Sequence, residues 1–275
     1  MILCAQVIGA RRLPEILNIS RALRVSAKIA QRHDKLYMQI QFRKLEFPDQ
    51  YHALIVGSSG SIGSAFHDYL NQDPDCGRVV GLSRSLSNNF DLENPVSIEN
   101  LGDTVREDAP FHLIIDATGA LTIDAVGPEK ALARLDPHAL HRQLLVNTIG
   151  PSLVLKQLLP LIASGDSIYA KLSARVGSIT DNQKGGWYSY RASKAAFNMV
   201  LQTAAIEFQR KNPKLRVVAL QPGTVRSNLS APFQANVQQL LEPPESVAGM
   251  MRAMMGLAPK SGAYFIDYLG DEIPW

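Results

Sequence analysis

Hydrophobic and polar positions in residues 51–275 form short apolar runs separated by longer segments with helical periodicity. The apolar runs predict strands buried on both faces, as in a parallel sheet, and they cover residues 53–56, 78–83, 90–92, 111–119, 166–173, 215–220 and 262–266. The periodic segments predict helices over residues 61–70, 96–105, 137–160, 187–211 and 245–257. Strands that alternate with helices in this way predict one α/β domain with a doubly wound, mostly parallel sheet.

The turn after the first predicted strand contains three glycines at intervals of three. Glycine lets the backbone approach a ligand closely, and the N–H groups that open the following helix point towards any anion bound there. The turn therefore predicts a dinucleotide site, with contacts from Gly57, Ser59, Gly60, Ser61, Ile62 and Gly63. Its spacing differs from G-x-G-x-x-G, and a turn that only packs a helix on a strand would fit the same residues.

The end of the second predicted strand favours a phosphorylated cofactor. An acidic residue here would bind the adenosine ribose 2′-hydroxyl, but the sequence has Ser83 and Arg84 instead. A guanidinium beside hydroxyls suits a 2′-phosphate, which predicts NADP(H) rather than NAD(H). The alternative is that Arg84 is an ordinary surface arginine.

Tyr190 and Lys194 lie four residues apart in the predicted helix 187–211, so they share one face, which Tyr188 cannot do with Lys194. A free phenol has a pKa of about 10, and a nearby ammonium lowers it by favouring the phenolate. The pair is then a usable general acid/base. Because the motif is short, a surface lysine beside a half-buried tyrosine remains the other interpretation.

Composition narrows the functional classes. The net charge of +3 is unevenly distributed: residues 1–50 contain nine Lys/Arg and four Asp/Glu, and the remainder contains nineteen and twenty-one, which gives no indication of nucleic-acid binding. Two cysteines, Cys4 and Cys76, cannot build a disulfide framework and suggest a reducing, cytoplasmic location. No apolar segment is expected to span a membrane. The histidines lack metal-ligand spacing, so no metal site is expected.

The basic extension of residues 1–50 has three interpretations. It could be an amphipathic leader, a basic helix that contacts a partner, or a translated upstream region of a protein that starts at Met38. The last is favoured, because Met38 lies a short distance before the first predicted strand.

Several motifs occur together in a fixed order: the glycine turn, Asn147 in the long middle helix, a serine near the next strand end, Tyr190-x-x-x-Lys194, and Pro222-Gly223. In this order and spacing they resemble the short-chain dehydrogenase/reductase family, particularly its small carbonyl reductase-like members, over about residues 51–275. The resemblance implies a single Rossmann domain that uses NADP(H) to interconvert a carbonyl and an alcohol on a small molecule. Related proteins commonly form homodimers or homotetramers.

The resemblance also implies roles for individual residues. Tyr190 would exchange a proton with the substrate oxygen, Lys194 would lower the tyrosine pKa and bind the nicotinamide ribose, and Asn147 would support a water-linked proton path. The resemblance also implies cofactor contacts from Asp91 near the adenine and from the turn that ends the predicted strand 111–119, namely Ala117, Thr118 and Gly119. The implied contacts at the nicotinamide are Pro222, Gly223, Thr224 and Val225.

Two departures from the family pattern leave questions open. The usual Asn-Asn-Ala-Gly turn is replaced by Asp116-Ala117-Thr118-Gly119. The position of the substrate-orienting serine falls on Ala174; Ser173 is the preferred substitute and Ser178 its rival. Because of Ala174, an NADP(H)-binding sensor or signalling protein with little turnover is the alternative function. For an enzyme, the weakly charged loop 224–241 predicts a modestly apolar substrate.

Overall fold

Six strands form one fully parallel sheet in the described part of this computed structural model. They are β1 Tyr51–Val56, β2 Cys76–Leu82, β3 Leu113–Asp116, β4 Ser167–Leu172, β5 Leu215–Gln221 and β6 Tyr264–Asp267. Their order across the sheet is β2-β1-β3-β4-β5-β6. The doubly wound Rossmann fold expected from the sequence is confirmed.

The structure describes residues 45–85, 90–124, 126–227, 229–236 and 239–275. The interpretations of the basic extension therefore concern residues that lie mostly outside the described part. Leu45, which precedes the predicted boundary at residue 51, is buried, and its N–H donates to the Met255 carbonyl oxygen at 3.3 Å.

Helices cover both faces of the sheet. They are α1 Ser61–Asn71, α2 Pro95–Ile98, α3 Pro137–Leu144, α4 Gly150–Leu158, α5 Tyr188–Gln209 and α6 Pro243–Met255. A π-helical turn, Leu145–Ile149, joins α3 to α4, so the predicted helix 137–160 is one continuous rod with a widened turn. Short 3₁₀ segments occupy Asp103–Asp108, Leu132–Arg134, Leu159–Leu161, Arg175–Gly177 and Ala231–Asn236.

Two predicted elements were wrong. Residues 90–92 form no strand; the Asp91 N–H instead donates to Ser97 Oγ at 2.8 Å, and Ser97 Oγ lies 3.1 Å from the Asp91 carbonyl oxygen. A side chain thus supplies the partners that a neighbouring strand would otherwise provide. The predicted helix 96–105 is divided into α2 and a separate 3₁₀ segment.

Side chains alternate between the two faces along each strand, and each face has its own apolar core. Leu54 and Ile114 face the side covered by α4 and α5, whereas Ala53 and Leu113 face α1 and α6. The methionines of α6, including Met250 and Met254, are buried in the second core and serve as packing residues.

The winding direction of the sheet reverses between β1 and β3. In open α/β sheets the crevice outside the carboxyl ends of the strands at such a reversal is the usual ligand site. Val56 and Asp116, the last residues of β1 and β3, are register partners. The glycine turn and the turn 116–119 therefore lie on the two sides of this crevice.

One described segment, Pro137–Leu161, is long and apolar enough to cross a membrane, contrary to the expectation from sequence. Half of its most apolar window is buried inside the protein. This is the pattern of a core helix, and Val154 and Leu158 within it pack against the sheet.

Candidate active site

The glycine turn brings the start of α1 against the end of β1. Gly57 has a φ of 83°, and its N–H donates to the Leu82 carbonyl oxygen at 2.7 Å. A Cβ at Gly63 would lie 2.1 Å from the Gly57 oxygen, so only glycine permits this approach. Gly60 caps α1 without a side-chain hydrogen bond, which leaves the first N–H groups of the helix to face an anion.

A cleft of about 400 Å³ opens above the glycine turn. The predicted cofactor residues that line it are Gly57, Ser59, Gly60, Ser83, Arg84, Asp91, Ala117, Thr118 and Gly119. Other predicted contacts do not line it: Ser61, Ile62, Gly63, Tyr190, Lys194, Pro222, Gly223, Thr224 and Val225. The size, the glycine cradle and the helix N-terminus fit the adenosine and pyrophosphate part of a dinucleotide.

Arg84 is exposed at the rim of this cleft, where it can reach a bound anion. Arg142 on α3 also lines the cleft and forms ion pairs with Glu93 at 2.7 Å and Asp124 at 2.6 Å. Sequence reasoning missed Arg142, because its acidic partners lie in two other segments and no local spacing connects them.

Tyr190 and Lys194 are both buried on α5 and share one face of the helix, whereas Tyr188 is half-exposed. Lys194 Nζ lies 5.7 Å from the centroid of the Tyr190 ring and donates to the Leu172 carbonyl oxygen at 3.3 Å. The predicted pairing on one helix face is therefore present.

The ionisation of the pair differs from the sequence argument. Burial raises the pKa of Tyr190 well above its usual value, so the neutral phenol is favoured. Burial and the nearby Lys171 ammonium lower the pKa of Lys194 to about 7, although the Asp116 carboxylate opposes this change. The pKa of Tyr190 is therefore set by desolvation and not by the ammonium of Lys194.

Asn147 lies in the π-helical turn and reaches the turn after β3. Its Nδ2 donates to the Ala120 carbonyl oxygen at 2.8 Å and to Gln143 Oε1 at 2.7 Å. A Cβ at Gly119 would be 3.0 Å from Asn147 Oδ1 and 3.2 Å from Lys194 Nζ. Asn147 and Lys194 thus converge on Gly119, which lines the cleft.

The two candidate serines are both buried and hydrogen-bonded. Ser173 Oγ donates to Asn198 Oδ1 at 2.7 Å. Asn198 lies four residues after Lys194 in α5, whereas Tyr190 lies four residues before it. Ser178 Oγ accepts from the Asp181 N–H at 2.9 Å. Ala174 lies between them, immediately before the short 3₁₀ segment Arg175–Gly177. The choice between Ser173 and Ser178 stays a prediction.

Pro222, Gly223, Thr224 and Val225 follow β5 at the carboxyl edge of the sheet. Ser246 on α6 donates to the Pro222 carbonyl oxygen at 2.6 Å, and Val225 forms an isolated bridge with Leu241. This turn is thus held at the same edge as Asn147 and Lys194, although not in the cleft above the glycine turn.

Comparisons with known proteins agree with this geometry. The sequence model of the short chain dehydrogenase family matches residues 51–238. The C-signal protein of Myxococcus xanthus is 34% identical over 146 residues, which are 53% of this chain and 84% of that protein. A 1-hydroxy-2-glutathionyl-2-methyl-3-butene dehydrogenase of Rhodococcus sp. (strain AD45) is 31% identical over 192 residues, 67% of this chain and 78% of that protein.

Among solved structures, the NADPH-bound carbonyl reductase from chicken fatty liver superposes with a TM-score of 0.71 at 20% identity. The match covers 85% of this chain and 97% of that one. At this identity the likeness concerns the fold alone, whereas the family model and the two relatives show the family to which the sequence belongs. The chain belongs to the short-chain dehydrogenase family.

Proposed function

We propose that the protein is an NADP(H)-dependent oxidoreductase that interconverts a carbonyl and an alcohol on a small molecule. The observation that carries the proposal is the meeting of Lys194 and Asn147 at Gly119, on the wall of the cleft. A cleft whose shape fits a dinucleotide, with Lys194 against its wall at Gly119 and Tyr190 next to Lys194, supports this chemistry.

The chain's own residues divide the work of cofactor binding. The backbone of the glycine turn and the N-terminus of α1 hold the pyrophosphate, and Arg84 at the rim binds the ribose 2′-phosphate. Lys194 binds the nicotinamide ribose, and the turn 222–225 holds the nicotinamide. When bound, the cofactor supplies or accepts the hydride.

Tyr190 acts on the substrate oxygen. Because burial raises its pKa, the phenol stays protonated at neutral pH and can donate a proton to a carbonyl oxygen. Tyr190 then regains a proton from solvent water along a water-linked path that Lys194 and Asn147 support. Ser173 is the hydroxyl that we assign to orient the substrate oxygen, with Ser178 as its rival.

The substrate is a modestly apolar carbonyl compound or alcohol, since the loop 224–241 has few charges. Two named similar proteins, a carbonyl reductase by fold and a dehydrogenase of a glutathionyl alcohol by sequence, support the carbonyl/alcohol reaction, whereas the apolar character of the substrate is proposed from the loop alone. Best activity on polyanionic substrates would contradict this assignment of the loop.

The direct test is consumption of NADPH by the purified protein against a panel of aldehydes, ketones and quinones, with NADH measured in parallel. Tyr190→Phe removes the proton donor and is expected to lower kcat by at least about a hundredfold. Tyr188→Phe, on the same helix but half-exposed, is the matched control and should retain activity. Equal activity of both variants would refute the role of Tyr190.

A second candidate function is an NADP(H)-binding sensor or signalling protein with little turnover. Alanine at position 174 and the similarity to a protein named C-signal support it. NADPH binding without consumption of any substrate in the panel would favour this alternative, and turnover that depends on Tyr190 would exclude it.

We also infer that the protein forms a homodimer or homotetramer and works in the cytoplasm. Along α5, Met199 is 66% exposed and Ile206 is 41% exposed, which suits a covered surface. Met199→Glu should reduce the mass measured by sedimentation, whereas Leu269→Glu, at another exposed apolar position, should not. Fractionation of producing cells tests the location.

A further inference from the structure

A buried ion pair, Asp116–Lys171, lies close enough to Lys194 to interact with it electrostatically. Asp116 and Lys171 are register partners at the carboxyl ends of β3 and β4, and neither side chain is appreciably exposed. Lys171 Nζ lies 2.9 Å from Asp116 Oδ1. Charges buried this completely are costly unless other groups satisfy them, and among the described residues Asp116 Oδ2 has no hydrogen-bond partner.

Thr118 hydrogen-bonds to both charged groups, through Oδ1 of Asp116 and Nζ of Lys171, and connects the pair to the cleft. Lys171 Nζ donates to the Thr118 carbonyl oxygen at 2.5 Å and to its hydroxyl oxygen at 2.9 Å. Asp116 Oδ1 accepts from the Thr118 N–H at 2.9 Å and from its hydroxyl at 2.6 Å. Both charged groups therefore hold the turn 116–119, and the last residue of this turn, Gly119, lies against Lys194 and Asn147.

The charge pattern around Lys194 is set by few groups. Among the described residues, Asp116 from β3, Tyr169 and Lys171 from β4, and Tyr190 from α5 are the titratable side chains near Lys194 or the ion pair. Burial raises the pKa of Tyr169, and so its phenol is neutral. The Lys171 ammonium disfavours a second ammonium at Lys194 more than the Asp116 carboxylate favours it.

We propose that Asp116 and Lys171 are positioning residues for the acid/base pair on α5. Both residues hold, through Thr118, the turn whose Gly119 lies against Lys194 and Asn147. The role of these residues in catalysis rests on the proposed function, but their effect on the titration of Lys194 can be measured in the protein without any substrate.

The test is an NMR titration of protein labelled with ¹³C at lysine Cε, in which Lys194→Arg assigns the signal of Lys194. Asp116→Asn/Lys171→Met removes both charges together. The midpoint of Lys194 should rise, because the larger, repulsive effect is lost. Lys171→Arg keeps a cation and should leave the midpoint close to that of the wild type.

Two further variants keep the test decisive. If the double variant does not fold, Lys171→Gln alone should also raise the midpoint, since it removes the ammonium and leaves the carboxylate. Arg106→Gln/Asp103→Asn removes an exposed ion pair far from α5 and should not move it. An unchanged Lys194 midpoint in folded variants that lack the Lys171 ammonium would overturn the proposal.

Activity is measured separately in the same variants. If NADPH is consumed, the pH profile of kcat should shift in the direction of the Lys194 midpoint. If the wild type consumes no NADPH but the midpoint moves, the proposed function fails and the positioning role stands. A merely structural pair would lower the stability of the fold without moving the midpoint.

Discussion

Replacement of Lys194 by methionine should stabilise the protein at neutral and acidic pH. In the folded state the pKa of Lys194 is lowered to about 7, mainly by burial, whereas an unfolded chain gives a lysine its ordinary value of 10.5. Below pH 7 the lysine is protonated in both states, so the folded protein bears the whole cost of the buried charge. Between these two pKa values the unfolded state binds more protons, and the stability of the wild type rises with pH.

The size of the effect follows from these values. The difference between the two pKa values corresponds to about 5 kcal/mol, at about 1.4 kcal/mol for each pH unit. Methionine also loses the hydrogen bond from Nζ to the Leu172 carbonyl oxygen, worth about 1 kcal/mol. Lys194→Met should therefore be about 3–4 kcal/mol more stable than the wild type at pH 6. The advantage should disappear as the pH approaches 10.5.

The assay is urea denaturation of cofactor-free protein between pH 6 and 10, followed by tryptophan fluorescence. Lys184→Met is the control, because Lys184 is exposed in the loop before α5 and its replacement should give no pH-dependent difference. A difference between Lys194→Met and the wild type that stays constant over this range would refute the argument from the buried charge.

Three other perturbations test the surrounding geometry. Arg84→Ala should weaken NADPH binding about tenfold in fluorescence titrations and leave NADH binding unchanged; equal losses would contradict a contact with the 2′-phosphate. Gly63→Ala should lower the free energy of unfolding by at least about 2 kcal/mol. Gly127→Ala, where a Cβ meets nothing within 4 Å, should change it by less than about 0.5 kcal/mol, and similar values for the two would argue against the clash. Glu129→Gln should cost about 1–2 kcal/mol in thermal melts, because the buried Glu129 carboxylate accepts from both the N–H and the hydroxyl of Ser189. An unchanged melting temperature would exclude this contact.

Local patterns predicted the parts of the fold whose causes are local. The glycine turn, the parallel strands and the helix that carries Tyr190 and Lys194 depend on residues a few positions apart. The failed strand at residues 90–92 shows the limit, since its apolar residues fit a strand while Ser97 supplies the backbone partners. Phe90 is buried as expected, yet in a different backbone conformation.

The sequence by itself determined the fold class, the family and the spacing of Tyr190 and Lys194 on one helix face. Only the tertiary structure decided their ionisation, because burial depends on all the elements packed around α5. The sequence marked Asp116 as a departure, but its partner Lys171 lies on another strand and is found only through the sheet register. Desolvation and long-range pairing are properties of the packed chain, and no local pattern encodes them.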